Sequence, residues 1–244
     1  MSRWAKRVLF FTTVLTITHG GFCAMRFNGT ADYIDYKNSL VVQSSAVTVC
    51  AWINVTALPL AYAGIISRKA SASAFESSFI KSTGKLAWYV NPPALNYDGT
   101  GTFTLSTGTW YHVAFTYDAI NGGKGYVNGS VDGSFAASGS LGYVGSSFTV
   151  GVDTQTVSRF FNGYIDDPRV YRRALSQQEI KNLASCRCRY QNMDGLIFYS
   201  PMDEGAYGAT STAGSLVVDR SSNSISGTTS GNPVWFSGGI LNYP

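Results

Sequence analysis

Residues 160–185, FFNGYIDDPRVYRRALSQQEIKNLAS, place two demands on any fold of this chain. Tyr164-Ile165 and Val170-Tyr171 are strand formers on either side of Asp166-Asp167. Pro168 can donate no ladder hydrogen bond, so this strand either runs at a sheet edge or carries a bulge at that point. Ser176, followed three residues later by Glu179, forms a capping box. Leu175, Ile180, Leu183 and Ala184 then supply an apolar stripe for one short helix docked on a sheet. A strand that runs straight into one short docked helix restricts the chain to sheet-based architectures.

The rest of the sequence agrees. Short apolar runs alternate with clusters of Gly, Ser, Asn and Thr, and the 244 residues include 26 glycines but only 13% charged residues. That pattern suits a sandwich or barrel rather than a helical or α/β protein. In 47–55, Val47, Val49, Ala51, Ile53 and Val55 share one face, with Cys50 and Trp52 on the other, which describes an inner strand. Further strands are expected at 25–36 (with a turn at Asn28-Gly29), 64–69, 75–80, 85–90, 110–117 and 147–152. Asn91-Pro92-Pro93 breaks one of them, and Asn128-Gly129 marks a hairpin.

The first 23 residues read as a secretory signal peptide. Arg3, Lys6 and Arg7 precede a short apolar run, Val8 to Thr18, and Gly21 and Cys23 suit cleavage before Ala24. Removing those three cations from the 18 basic residues leaves 15 against 14 acidic ones, so no general attraction to nucleic acid results. No later run is apolar enough to span a membrane. Six basic residues gather between Arg169 and Arg189 against Glu179 alone, which reads as a solvated helix face and its exit.

The strand-plus-helix stretch resembles the end of a laminin-G-like module of the concanavalin A-like jelly-roll type, G-x-I-D-[DE]-x-R-[VI]-Y followed by x-R-A-L-S and an E-I helix. Five upstream phrases stand in the order of that family: FNGTADYID (27–35), VTVCAWINV (47–55), GIISRK (64–69), TWYHVAFTYD (109–118) and KGYVNG (124–129). The resemblance covers about residues 25–185. It implies an all-β fold, an antiparallel two-sheet jelly-roll sandwich with one short helix. It also implies an exported recognition module for glycans or extracellular proteins.

Residues 195–244 depart from that order. GLIFYSPMDEG, a D-x-S-x-N phrase, a G-T strand, a Trp and GGIL normally stand before FNGTADY in such modules, not after the helix. Three explanations are open: a circular permutation in which 187–244 complete the sandwich of 24–186, donation of these strands to a neighbouring copy, or a truncated tandem repeat. The second would produce self-association.

Catalytic signals are sparse. The only glutamates are Glu76, Glu179 and Glu204, and none forms the closely spaced carboxylate pair of a glycosidase. His112 is the only histidine after the leader and reads as a packed structural residue. No nucleophile elbow, phosphate loop or zinc pattern is present. The expectation is therefore a non-catalytic protein. The resemblance also implies a calcium ion, with Asp166 as ligand and Gly29 and Asp32 in the adjacent turn. The competing role for Asp166 is to cap the backbone or to pair with Arg26 or Arg169. Glycan binding calls for exposed aromatic platforms, for which Trp88, Tyr89 and Tyr97 are candidates. Core packing is their other use. Cys50 could bridge Cys186 or Cys188 and leave an odd thiol, or all three could stay reduced. Asn28, Asn54 and Asn128 stand in N-x-[ST] sequons.

Overall fold

Two antiparallel sheets of eight strands each face one another in the computed structural model of the chain. It describes residues 22–37, 44–68, 75–90, 97–141, 147–153, 158–185, 193–206 and 208–238. Residues 1–21, most of the expected signal peptide, lie outside the described residues together with Cys186 and Cys188.

The first sheet uses β1 (Phe22–Asn28), β3 (Ala46–Val55), β8 (Trp110–Asp118), β9 (Gly122–Val127), β10 (Ser130–Phe135), β12 (Asn162–Tyr171), β13 (Leu196–Tyr199) and β16 (Val234–Gly238). Its order is β10-β9-β8-β3-β12-β1-β16, with β13 also beside β12. The second contains β2 (Tyr33–Asp35), β4 (Tyr62–Ser67), β5 (Phe75–Lys81), β6 (Lys85–Val90), β7 (Tyr97–Thr104), β11 (Thr149–Val150), β14 (Leu216–Val217) and β15 (Gly227–Ser230), in the order β14-β15-β2-β11-β4-β5-β6-β7. The single helix among the described residues, α1, is Gln177–Ser185. This is the two-sheet sandwich the sequence implies.

Pro168 is accommodated by a bulge, not by an edge position. β12 sits between β3 and β1, and its register with β3 shifts between Asp166 and Arg169. Asp167 takes a positive φ of 50° there, a conformation that aspartate tolerates better than most residues. Gly163 (φ 151°) is needed for a second reason. A Cβ at that position would lie 2.1 Å from the Asn54 carbonyl oxygen.

Strand β3 shows why alternation was legible. Val47, Val49, Ala51, Ile53 and Val55 enter the main core, whereas Cys50 and Trp52 join separate clusters on the outer face. Between the sheets, Trp88 stacks on Phe115 and Phe115 on Phe135 at centroid separations of 6.2 and 6.0 Å. Near the other flank Phe198 meets Tyr36 and Phe148 edge-on, each at 4.7 Å.

Three details differ from the sequence reading. Asn28-Gly29 does not close a hairpin, because β1 and β2 belong to different sheets. The Asn28 Oδ1 instead accepts the N–H groups of Thr30 and Ala31 and turns the chain across the sandwich. The strand expected at 147–152 is reduced to Thr149–Val150, since Gly151 adopts φ 90°. Strand β7 forms from YDGTGTFT, a segment without a β-branched run. Its Gly99 and Gly101 leave room for Phe135 and Asp132 of β10, and Asp132 accepts the N–H groups of Thr102 and Phe103 at 2.8 and 2.6 Å. That carboxylate ties the edges of the two sheets together.

Residues 195–238 belong to both sheets of the same chain. β13 pairs with β12, β16 with β1, and β15 with β2. Asp219, 3% exposed, fastens this segment. It accepts the N–H groups of Tyr199, Ser221 and Ile225 and the Ser221 hydroxyl, at 2.7–2.9 Å. The D-x-S-x-N phrase is thus a structural hub. β1 starts at Phe22, so cleavage before Ala24 would shorten it by two residues.

Candidate functional site

The outer face of the first sheet is built from in-register rows. Trp110 of β8 faces Asn54 of β3, Asn54 faces Tyr164 of β12, and Tyr164 faces Arg26 of β1. The next row runs from His112 through Trp52 to Asp166, with Phe236 of β16 opposite Ala24. Side chains in register on one face are near neighbours, so the aromatics gather. Trp110 and Tyr164 have centroids 6.2 Å apart, and Tyr164 and Phe236 4.9 Å apart. Together with Asn54, Thr56, Thr107 and Gly108 they line a groove of about 410 Å³. Trp110 forms a largely covered floor, Tyr164 and Phe236 are half-buried, and Thr56 and Thr107 are exposed. Rings with a few hydroxyl and amide groups around them suit a ligand with one apolar and one hydrogen-bonding face.

Farther along the same face the sheet is covered. Helix α1 lays Ile180 and Leu183 onto Cys50, Ala114, Tyr126, Tyr171, Leu196 and Tyr199. Its capping box forms as the sequence implies: the Ser176 N–H donates to Glu179 Oε2 at 2.8 Å, and the Glu179 N–H to Ser176 Oγ at 3.3 Å. Arg173 grips the same carboxylate with both terminal nitrogens, at 3.1 and 2.6 Å. Chiefly for that reason the Glu179 carboxyl is held down to about 2. Beneath the helix Arg169, 4% exposed, pairs with Asp167 at 3.3 Å and lies 4.3 Å from the centre of the Tyr199 ring. Burial pushes the Cys50 thiol up to about 12. Such a thiol is inert at neutral pH.

The residues singled out from sequence fare differently. Trp88 is not a platform: it is 1% exposed, and its indole lies where a Cβ on Gly125 would be. Tyr89 is half-buried on β6. The backbone of Tyr97 pairs with Val90, and its side chain lies outside the described residues. The trio Asp166, Asp32 and Gly29 does not converge. Asp166 follows Ile165, which faces Met25, whereas the Gly29–Asp32 turn comes after Asn28, about 10 Å farther along β1 at the usual rise per residue. Asp32 is 2% exposed and already occupied, accepting the Asn28 and Asn232 N–H groups at 3.0 and 2.9 Å. No cluster of three or more His, Cys, Asp or Glu suited to a metal occurs among the described residues.

Cys50 is a buried free thiol. His112 is 2% exposed, with its ring edge-on to Trp52 at 5.5 Å. The sequon residues Asn28 and Asn128 act through their side chains in turns, Asn128 accepting the His112 N–H at 2.9 Å, and Asn54 is buried. Sequence reasoning passed over Trp110, Tyr164 and Phe236. Period-two alternation places each of the first two on an outer face, but only the pairing of β16 with β1 brings the third beside them.

An antiparallel sandwich with one docked helix and an open aromatic groove is the class of molecule these features define. A laminin-G-type model described as the concanavalin A-like lectin/glucanases superfamily matches residues 28–181, and the chain belongs to that family. Among curated proteins there is no match. Among solved structures the chain is similar to a putative carbohydrate binding protein from Bacteroides ovatus, with a TM-score of 0.64 and 21% identity over 89% of this chain and 60% of that one. It is also similar to the heptameric SAP-like pentraxin of Limulus polyphemus, with a TM-score of 0.55 and 19% identity over 73% and 92%. A third likeness is to domain 4 of AbnA, an extracellular GH43 arabinanase from Geobacillus stearothermophilus, in complex with arabinotriose, with a TM-score of 0.53 and 24% identity over 66% and 76%. The chain spans 60% of the length of the Bacteroides ovatus protein.

Proposed function

We propose that this protein is an exported, non-catalytic module that binds a glycan in the groove of Trp110, Tyr164 and Phe236. The observation that carries this reading is the uncovered aromatic patch at one end of a sheet face whose other end is sealed by a helix. A pyranose ring presents an apolar face of C–H groups and a rim of hydroxyls. Tyr164 and Phe236 take the former, and Asn54, Thr56 and Thr107 the latter. The descriptions of the Bacteroides ovatus protein and of the arabinotriose-bound domain point to carbohydrate for relatives of this fold.

In this reading residues 195–238 complete the sandwich of their own chain, and the pairing of β16 with β1 supplies Phe236 to the groove. The test is a glycan array on residues 24–244, followed by calorimetry on the best ligand with Tyr164→Ala and Phe236→Ala. Weakened binding in both, with at most a small drop in thermal midpoint, supports the groove. A glycan that binds both variants as it binds the parent protein places recognition elsewhere.

A further inference from the structure

The loop between β3 and β4, residues 56–61, reads TALPLA and projects from the end of the sandwich. Leu60 is fully exposed (104%) and Leu58 is 41% exposed. Leu60 packs against nothing among the described residues, and Leu58 two positions earlier still leaves part of its side chain in water. Pro59 between them stiffens the tip.

The base of this loop is basic and aromatic. Tyr62, the first residue of β4, stands opposite Lys81. The Lys81 Nζ lies 5.6 Å from the centre of its ring and the Arg159 guanidinium 5.3 Å. The connections that meet here fix the arrangement: the Ser82 N–H donates to the Ala61 carbonyl, the Gly64 N–H to the Arg159 carbonyl and the Thr56 N–H to the Asn162 carbonyl, at 2.9–3.0 Å. Lys85 opens β6 at the same end. Among the described residues, the acids on these loops are turned inward. Asp32 is 2% exposed, and Asp153 is 0% exposed and paired with Arg159 at 2.9 Å.

A leucine tip, a tyrosine behind it and lysine and arginine side chains around that ring match a bilayer read from the hydrocarbon edge outward: acyl chains, the interfacial layer, then phosphate headgroups. We infer that this end of the sandwich docks on an anionic lipid bilayer, with Leu58 and Leu60 entering the acyl boundary and Lys81 and Lys85 facing the phosphates. Thr56 lies at both the loop and the aromatic groove, so docking would hold the groove close to the membrane surface. Docking of this kind is independent of glycan binding, because its ligand is phospholipid without sugar.

The test is co-sedimentation of residues 24–244 with sugar-free vesicles, either pure phosphatidylcholine or phosphatidylcholine with one-third phosphatidylserine. The protein should pellet with the anionic vesicles and detach at high salt. Leu58→Ser/Leu60→Ser should weaken partitioning by about tenfold or more, and Lys81→Gln by less. Leu60→Trp should retain binding and shift its emission to the blue on mixing with anionic vesicles. Leu58 and Leu60 are exposed, so the thermal midpoints of their variants should stay put, whereas Lys81 is half-buried and its Nζ donates to Thr100 Oγ1 at 3.4 Å, so Lys81→Gln should lower the midpoint slightly. Three results would overturn the inference: no pelleting of the parent protein, pelleting indifferent to the double serine variant, or a lipid-free dimer that this variant abolishes, which would make the loop a contact between copies.

Discussion

The two halves of the outer face of the first sheet are built from the same strands and have opposite fates. At one end β3, β8 and β12 present Cys50, Ala114 and Tyr171, and helix α1 covers them. At the other Trp52 and Trp110 form a buried cluster with Tyr164 packed half-exposed upon it, and no helix among the described residues lies over them. Both ends are apolar. The difference lies in the segments into which the strands run. β12 continues through Ala174-Leu175 into a capped helix that folds back over the sheet, whereas at the groove end the strands enter polar turns such as Ser106-Thr107-Gly108. Apolar surface that is covered stabilises the fold, and apolar surface left open is free to bind. One face therefore divides into a stabilising half and a recognising half.

The largest expected effects lie where a change strikes what both halves share. Asp219→Ala would strand two buried N–H groups and one half-buried one and release the segment that carries Tyr199 and Phe236. A loss of about 3 kcal/mol or more in urea unfolding is expected, with glycan binding falling alongside. A variant of parental stability would show that the C-terminal segment is not held by this hub. Next comes the covered half alone. Ile180→Ala empties a fully buried position beneath the helix and should cost about 2–4 kcal/mol. Glycan affinity measured well below the unfolding midpoint should not change. If affinity also falls, the two halves are coupled and the division fails.

The open half should show the reverse. Tyr164→Ala should weaken glycan binding by about tenfold, equal to about 1.4 kcal/mol, with a smaller loss of stability. Calorimetry beside a thermal melt reads both. The smallest effect is the pH response of the helix. In the folded protein the Glu179 carboxyl titrates near 2, below its ordinary 4.5, first because of the Arg173 guanidinium and then through Ser176. Because the folded value lies below the unfolded one, its stabilising contribution is complete above about pH 4.5 and disappears as the pH falls through 2. Thermal midpoints should drop across that window in the parent protein and less so in Glu179→Gln. Equal slopes would mean that the Arg173 contact adds nothing to the helix anchor.

Much of this molecule was readable in advance, in places where local chemistry has one solution. Ser176 and Glu179 can satisfy the helix start only reciprocally. Pro168 can enter an inner strand only at a bulge, and the alternation from Val47 to Val55 commits one face to a core. The misreadings share a cause as well. Trp88 looked like a platform because its sequence neighbours do not reveal that Gly125 leaves space for its indole. Asp166 and Asp32 looked like partners because strand register, which separates them along β1, is not written in either segment.

The sequence by itself determined the sandwich, the single capped helix, the inner strands and the displaced C-terminal phrases, because periodicity, capping and turn chemistry act over a few residues. Only the tertiary structure decided which apolar residues are core, that β16 lies beside β1, and that Trp110, Tyr164 and Phe236 share a groove. Those three are separated by 54 and 72 positions in the chain. They meet through strand order and register, which are properties of the assembled sheet and of no single segment.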